Sequence, residues 1–202
     1  MRKAFAEAMI ELAEKDDKLV VLIGDISHHL LRGFEEKYPE RFYNVGICEQ
    51  SMVQELDVTI ISVGSSFDYA HLGCTHHCYE DVSILRPLPN IDIFVPGNSK
   101  EFKKLLKDSW NNGRPKYFKL SKSEHLHDVE VDAYECSVLN KGSKIILFIN
   151  GHQLQNVLYL DYTKDKTIVY CPTVEPISEK SQRYVADMLS SHDIALVVEE
   201  NS

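Results

Sequence analysis

Apolar residues at Phe5, Met9, Ile10 and Leu12 recur at helical spacing through a charged stretch and predict an amphipathic helix at the start of the chain. The run that follows from Leu19 (LVVLIGD) has no period and ends in a Gly-Asp turn, the pattern of a strand buried on both faces. Val58 to Val63 (VTIISV) and Ile91 to Val95 (IDIFV) repeat that pattern, each followed by Gly or Pro and then by helical stretches such as Lys100 to Trp110. Strands that alternate with helices predict a parallel sheet covered on both faces, an α/β fold.

Past Tyr117 to Leu120 the period is lost in SKSEHLHDVEVDAYE, which reads as a connector. The pattern then resumes with strands at Lys144 to Asn150, Thr167 to Cys171 and Ile194 to Val198, and with a helix from Ser178. The expected organisation is therefore one α/β domain over 1–120, a connector over 121–138 and a smaller α/β domain over 139–202. The last strand is followed only by Glu199-Glu200-Asn201-Ser202, where such a domain would continue into a helix, so the second domain reads as truncated.

A hydrophobic share of 44% over 202 residues is enough for a real core. The net charge of −9 offers no basic face to nucleic acid or to anionic lipid, and no apolar run has the length of a membrane span. Both partners are set aside. Five cysteines at irregular spacing suit reduced thiols better than a disulfide framework, and place the chain in the cytoplasm.

Two segments carry chemistry. In Arg41 to Val53 (RFYNVGICEQSMV), Glu49 follows Gly46 where a strand-like approach gives way to a helix, at the sheet edge where open α/β folds bind ligands. Glu49 and Gln50 are equally compatible with an ordinary first-turn acid and amide. In Leu72 to Asp81 (LGCTHHCYED), His76 and His77 could donate to a developing alkoxide, or stand solvated on a helix start capped by Thr75. His71, Cys74, His76, His77 and Cys78 are all metal-ligand types, but no second cluster at short spacing completes a zinc site, and no metal ligand is assigned.

Taken together, RKAFAEAMIELAEKDDKLVVLIGDIS, YPERFYNVGICEQSMV, GCTHHCYEDVSILRPLPNIDIFVP and CPTVEPISEK resemble, in order and over nearly the whole chain, the central and C-terminal parts of transketolases. The resemblance implies a thiamine-diphosphate-binding fold: a pyrimidine-binding domain followed by an incomplete transketolase C-terminal domain. It implies that Glu49 bonds a ring nitrogen of the cofactor's aminopyrimidine, with Gln50 beside it, favouring the tautomer whose exocyclic nitrogen is a base next to the thiazolium. It implies that His76 and His77 face the substrate oxygens, and that Arg2 and Lys122 meet the substrate phosphate. Lys122 stands where an arginine is usual and lacks the bidentate fork. Plain surface solvation also accounts for Arg2 and Lys122.

Two departures stand out. An aspartate that recognises a sugar hydroxyl in larger transketolases is Leu72 here, which leaves the sugar open. Relatives also place a helix, a strand and a helix between the EQ-x-M segment and the strand at Val58 to Val63, including the aromatic residue that stacks on the pyrimidine. Here Val53 leads almost directly into that strand, too short a link for a parallel crossover. A covalent loss would leave a hole in the sheet, so the reading favoured on sequence is that a segment has been skipped between Val53 and Gln54.

Gly24-Asp25-Ile26 with Asn44 only weakly mimics the family's magnesium motif, so magnesium and the diphosphate must come from a separate N-terminal subunit. Met1 coincides with the start of the pyrimidine domain of fused enzymes. The implied function is a split transketolase subunit moving a two-carbon ketol unit between sugar phosphates, working as a heterotetramer or, failing that, a homodimer. The alternatives are a 2-oxo-acid dehydrogenase β subunit, deoxyxylulose-phosphate synthase, disfavoured by Ser51 where it has His, and a scaffold that no longer binds cofactor.

Overall fold

The computed structural model describes residues 1–25, 28–46, 58–142 and 144–199, in three sheets flanked by helices. Helix α1 (Arg2–Ala13) buries Ala4, Ala8, Met9, Leu12 and Ala13; of the four apolar positions that predicted it, Met9 and Leu12 are buried and Phe5 and Ile10 half-buried. Strand β1 (Val21–Ile23) follows, then α2 (His28–Lys37), which buries Leu31 and Phe34, and β2 (Phe42–Asn44). β1 and β2 pair in parallel as a two-stranded sheet of their own.

The second sheet has the order β3 (Thr59–Val63), β5 (Lys116–Leu120), β4 (Asp92–Phe94), β9 (Thr173–Glu175). Its first three strands are parallel. Helices α3 (Asp81–Leu85) and α4 (Ser99–Ser109) connect them. Asn98 caps α4 by accepting from the amides of Lys100 and Glu101, and the helix buries Phe102, Leu105 and Leu106. Phe102 meets Phe118 of β5 edge to face at 5.4 Å, and Phe118 stacks on Phe94 of β4 at 4.7 Å. This aromatic column is the centre of the main core.

The third sheet has the order β10 (Ile194–Val198), β7 (Ile145–Ile149), β8 (Thr167–Tyr170), β6 (Ser137–Asn140). β10, β7 and β8 are parallel and β6 is antiparallel. Helices α5 (Gln153–Leu158) and α6 (Glu179–Ser191) pack beside it, and Ser178 caps α6 by accepting from the Ser181 amide.

β9 lies in the stretch assigned on sequence to the second domain, yet it pairs antiparallel with β4 of the second sheet. The two parts of the chain are also joined by a buried polar knot. Glu101 of α4 accepts from the Tyr170 hydroxyl (2.6 Å) and the Gly97 amide (2.8 Å), and its other oxygen lies 2.8 Å from His125 Nε2. Burial and the Glu101 charge push the Tyr170 hydroxyl well above its usual value, so it stays a donor.

Val53 and Gln54 are adjacent in the sequence, and the short link that contains them lies outside the described residues. Among the described residues, β1–β2 and β3–β5–β4–β9 form separate sheets.

Candidate functional site

β3 and β5 are neighbours and parallel, so their C-terminal ends lie side by side and the loops that leave them share one edge of the sheet. Asp68, in the loop after β3, joins the two. Its carboxylate accepts from the Ser65 amide (2.8 Å), the Lys122 amide (2.8 Å) and the Ser121 hydroxyl (3.2 Å). Three donors on one carboxylate fix the loop that holds the aromatic residues Phe67 and Tyr69.

Tyr69 gathers the cations. The Arg2 guanidinium lies 5.5 Å from its ring centroid and the Lys122 ammonium 5.1 Å, both within cation–π range. The two residues named for the substrate phosphate, one at the start of the first domain and the other at the start of the connector, thus come together over one ring. Both remain exposed.

Gly64 makes this possible. Its φ of +103° is outside the range of ordinary L-residues, and a Cβ there would stand 2.2 Å from Tyr69 Cε2. Gly64→Ala is expected to destabilise the chain by about 1–3 kcal/mol and to displace Tyr69. Urea unfolding followed by circular dichroism measures the first effect, and tyrosine accessibility the second.

The histidine loop continues from the same edge. Cys74–His76 forms a single 3-10 turn rather than the start of a helix, and no side chain caps it. Thr75 Oγ1 instead lies 3.1 Å from His76 Nδ1. His76 is exposed. His77 turns inward, its ring edge-on to Phe67 at 5.1 Å, and its Nε2 is buried with no partner among the described residues. A buried ring nitrogen without a partner is costly in a finished structure and suits a polar atom brought by a ligand.

The loop is anchored from below. Lys119 of β5 donates to Asp81 Oδ1 (2.7 Å) and to the Cys78 carbonyl (2.9 Å), while the Tyr117 hydroxyl donates to the other oxygen of Asp81. The Lys119 side chain is fully buried. Burial, reinforced by the Asp81 charge, pushes Tyr117 far above its ordinary value and keeps it a donor. A narrow cleft floored by Ser65, Lys119 and Ser121 and walled by Asn150, Gly151 and His152 opens beside this anchor.

Glu49 and Gln50 lie outside the described residues. Asp25 and Asn44 do meet, at the ends of β1 and β2: the Asp25 amide donates to Asn44 Oδ1 at 3.1 Å and Asn44 Nδ2 to Asp25 Oδ1 at 3.3 Å. Their mutual bonds tie two strand ends together. Among the described residues no three potential metal ligands converge, those of His71, Cys74, His76, His77 and Cys78 included. No described helix is long and apolar enough to cross a membrane. Sequence reasoning missed Tyr69, Asp68 and Gly64; the only signal was a glycine followed by a run of small and aromatic residues directly after a strand.

Residues 53–126 match the family model described as the pyrimidine-binding domain of transketolase. The chain is 24% identical to a putative transketolase C-terminal section of Methanocaldococcus jannaschii, covering all of this chain and 77% of that one. It is 24% identical to one subunit of the apulose-4-phosphate transketolase of Actinobacillus succinogenes, over 84% of this chain and 70% of that one. A 1-deoxy-D-xylulose-5-phosphate synthase of Clostridium beijerinckii is 25% identical over 88% of this chain, which spans 36% of that enzyme. Among solved structures, a split-gene transketolase described as an inactive β4 tetramer superposes with a TM-score of 0.78 at 21% identity, over 99% of this chain and 79% of that one. The alignment to the Methanocaldococcus protein runs to 250 columns while taking in all 202 residues here, so at least 48 residues of that relative have no counterpart in this chain.

Proposed function

We propose that the chain, whose residues 53–126 match the family model of the transketolase pyrimidine-binding domain, is the pyrimidine-side subunit of a split, thiamine-diphosphate-dependent transketolase, active only with a separate diphosphate-binding subunit. The domain division at 1–120, 121–138 and 139–202, the hetero-oligomer, a sugar-phosphate substrate and a cytoplasmic location belong to the same proposal. The observation that carries it is the assembly of Arg2 and Lys122 over Tyr69 beside the inward-turned His77, at the C-terminal edge of β3 and β5.

Thiamine diphosphate, when bound, supplies the carbon centre that accepts the ketol unit. The residues here do the rest. Arg2 and Lys122 offer two positive charges to a substrate phosphate, held near each other by the Tyr69 face. His77 Nε2 is placed to bond a substrate or cofactor polar atom, and His76, exposed on the adjacent turn, can donate to an oxygen that gains charge. Glu49 and Gln50 are assigned to the aminopyrimidine. Magnesium and the diphosphate are assigned to the partner subunit.

A second reading has a specific observation in its favour. At least 48 residues of the Methanocaldococcus relative have no counterpart here, and on the family resemblance we place the helix–strand–helix that bears the stacking aromatic residue among them. A subunit without that element could pair with the catalytic partner and bind no cofactor. Reconstitution with a diphosphate-binding subunit, thiamine diphosphate, magnesium and a ketose phosphate separates the two. Ketol transfer is expected, and Lys122→Met should raise the KM for a phosphorylated ketose about tenfold with little change in kcat, as the loss of a charge-assisted contact does. Equal KM values for Lys122→Met and the parent would remove Lys122 from the site.

A further inference from the structure

We propose that Cys136 and Cys171 form a dithiol–disulfide couple that staples β6 to β8 when the chain meets a disulfide oxidant. The observation is positional. Ser137 of β6 is registered opposite Tyr170 of β8 in an antiparallel pair, so the next residues outward, Cys136 and Cys171, face each other across the ladder. Their sulfur atoms lie 2.6 Å apart, inside the contact distance of two sulfurs. Opposed residues on antiparallel strands have Cβ atoms about 4.5–5.5 Å apart, close to the spacing a disulfide requires, and the strands need little movement to close the bond.

The surroundings favour reaction. Both cysteines are half-buried, packed against the cluster of Ile146, Val169 and Met188. The Cys136 backbone is held in place by its amide bond to Ser181 Oγ (3.0 Å) in the first turn of α6, and the Cys171 amide donates to the Ile149 carbonyl (2.8 Å). The Cys171 thiol donates to Cys136 Sγ. That bond holds the Cys136 thiol below its usual value against the opposing effects of burial and Glu135, and raises Cys171.

In the proposed exchange Cys136, whose sulfur accepts the Cys171 thiol hydrogen, attacks first as its thiolate. Its sulfur attacks one sulfur of a small-molecule disulfide, expelling one thiolate and leaving a mixed disulfide on Cys136. Cys171, giving up its proton to water, then attacks Cys136 Sγ and expels the second thiolate. Two protein thiols are oxidised and one external disulfide is reduced to two thiols, so the electrons balance.

The place of the bond gives it reach. Directly after Cys171, the Pro172 carbonyl accepts from the Val95 amide (2.7 Å), and β9 then crosses to pair with β4. Cys136 in turn closes the connector that runs back to Ser121 and Lys122. The staple fixes together the outgoing and returning chain between the second and third sheets.

The test is treatment of the full chain with glutathione disulfide, alkylation of the remaining thiols, and non-reducing peptide mapping. The expected product is a cross-linked peptide pair containing Cys136 and Cys171, lighter by two hydrogens than the reduced pair, absent from Cys136→Ser and Cys171→Ser and reversed by dithiothreitol. Alkylation of both cysteines to the same extent before and after oxidation would overturn the proposal. So would a separate glutathione adduct on each.

Discussion

Glu49→Gln is expected to lower ketol transfer by the reconstituted enzyme by about 10²–10⁴-fold, the usual loss when a catalytic proton-transfer contact is removed. Glutamine keeps the length of the side chain and can still bond a ring nitrogen, but it cannot carry the negative charge that stabilises a protonated ring. Turnover should fall while the KM for the sugar changes little, because the contact proposed for Glu49 is to the cofactor rather than to the substrate. Steady-state rates at saturating cofactor check this. Unchanged turnover in the variant would reject the role assigned to Glu49.

The second large effect concerns stability. Lys119→Met should destabilise the chain by about 3–5 kcal/mol, because it strands the Asp81 carboxylate and the Cys78 carbonyl in a place with little access to water. Against a typical total of about 5–15 kcal/mol, that is a large share. The histidine loop hangs from those two acceptors, so it should loosen as well. The double variant Lys119→Met with Asp81→Leu should recover part of the loss, since the buried carboxylate goes with its partner. Chemical denaturation of the three proteins measures both numbers, and a double variant less stable than Lys119→Met would contradict the account of the anchor.

Several elements are legible in the amino-acid pattern itself. The strand Ile194–Val198 has the same limits by pattern and in the fold, and the helix expected at Lys100 to Trp110 runs from Ser99 to Ser109. Long apolar runs and a capped, amphipathic helix declare themselves locally. β9 did not, because three residues between Pro172 and Pro176 show no period and their partner in β4 lies about eighty residues earlier. β6 was hidden at the end of a polar connector for the same reason.

The site shows the same division. His76, His77, Arg2 and Lys122 were named from motifs, but only the fold reveals that Tyr69 stands between the two cations and that, of the two histidines, His77 turns inward. The pairing of Cys136 with Cys171 was also out of reach, since their distance in sequence carries no information about strand register. The short link after Val53 was visible at once. That β1–β2 and β3–β5–β4–β9 form separate sheets among the described residues emerges only in three dimensions.

The central claim is that this chain presents a carboxylate to a cofactor it shares with another subunit. Calorimetric titration of thiamine diphosphate, with magnesium present, into this chain, into a diphosphate-binding transketolase subunit and into their mixture tests it directly. The account predicts tight binding in the mixture alone, weakened when this chain carries Glu49→Gln. A mixture that co-elutes as one complex yet takes up no thiamine diphosphate would contradict it and leave the chain a partner without cofactor chemistry.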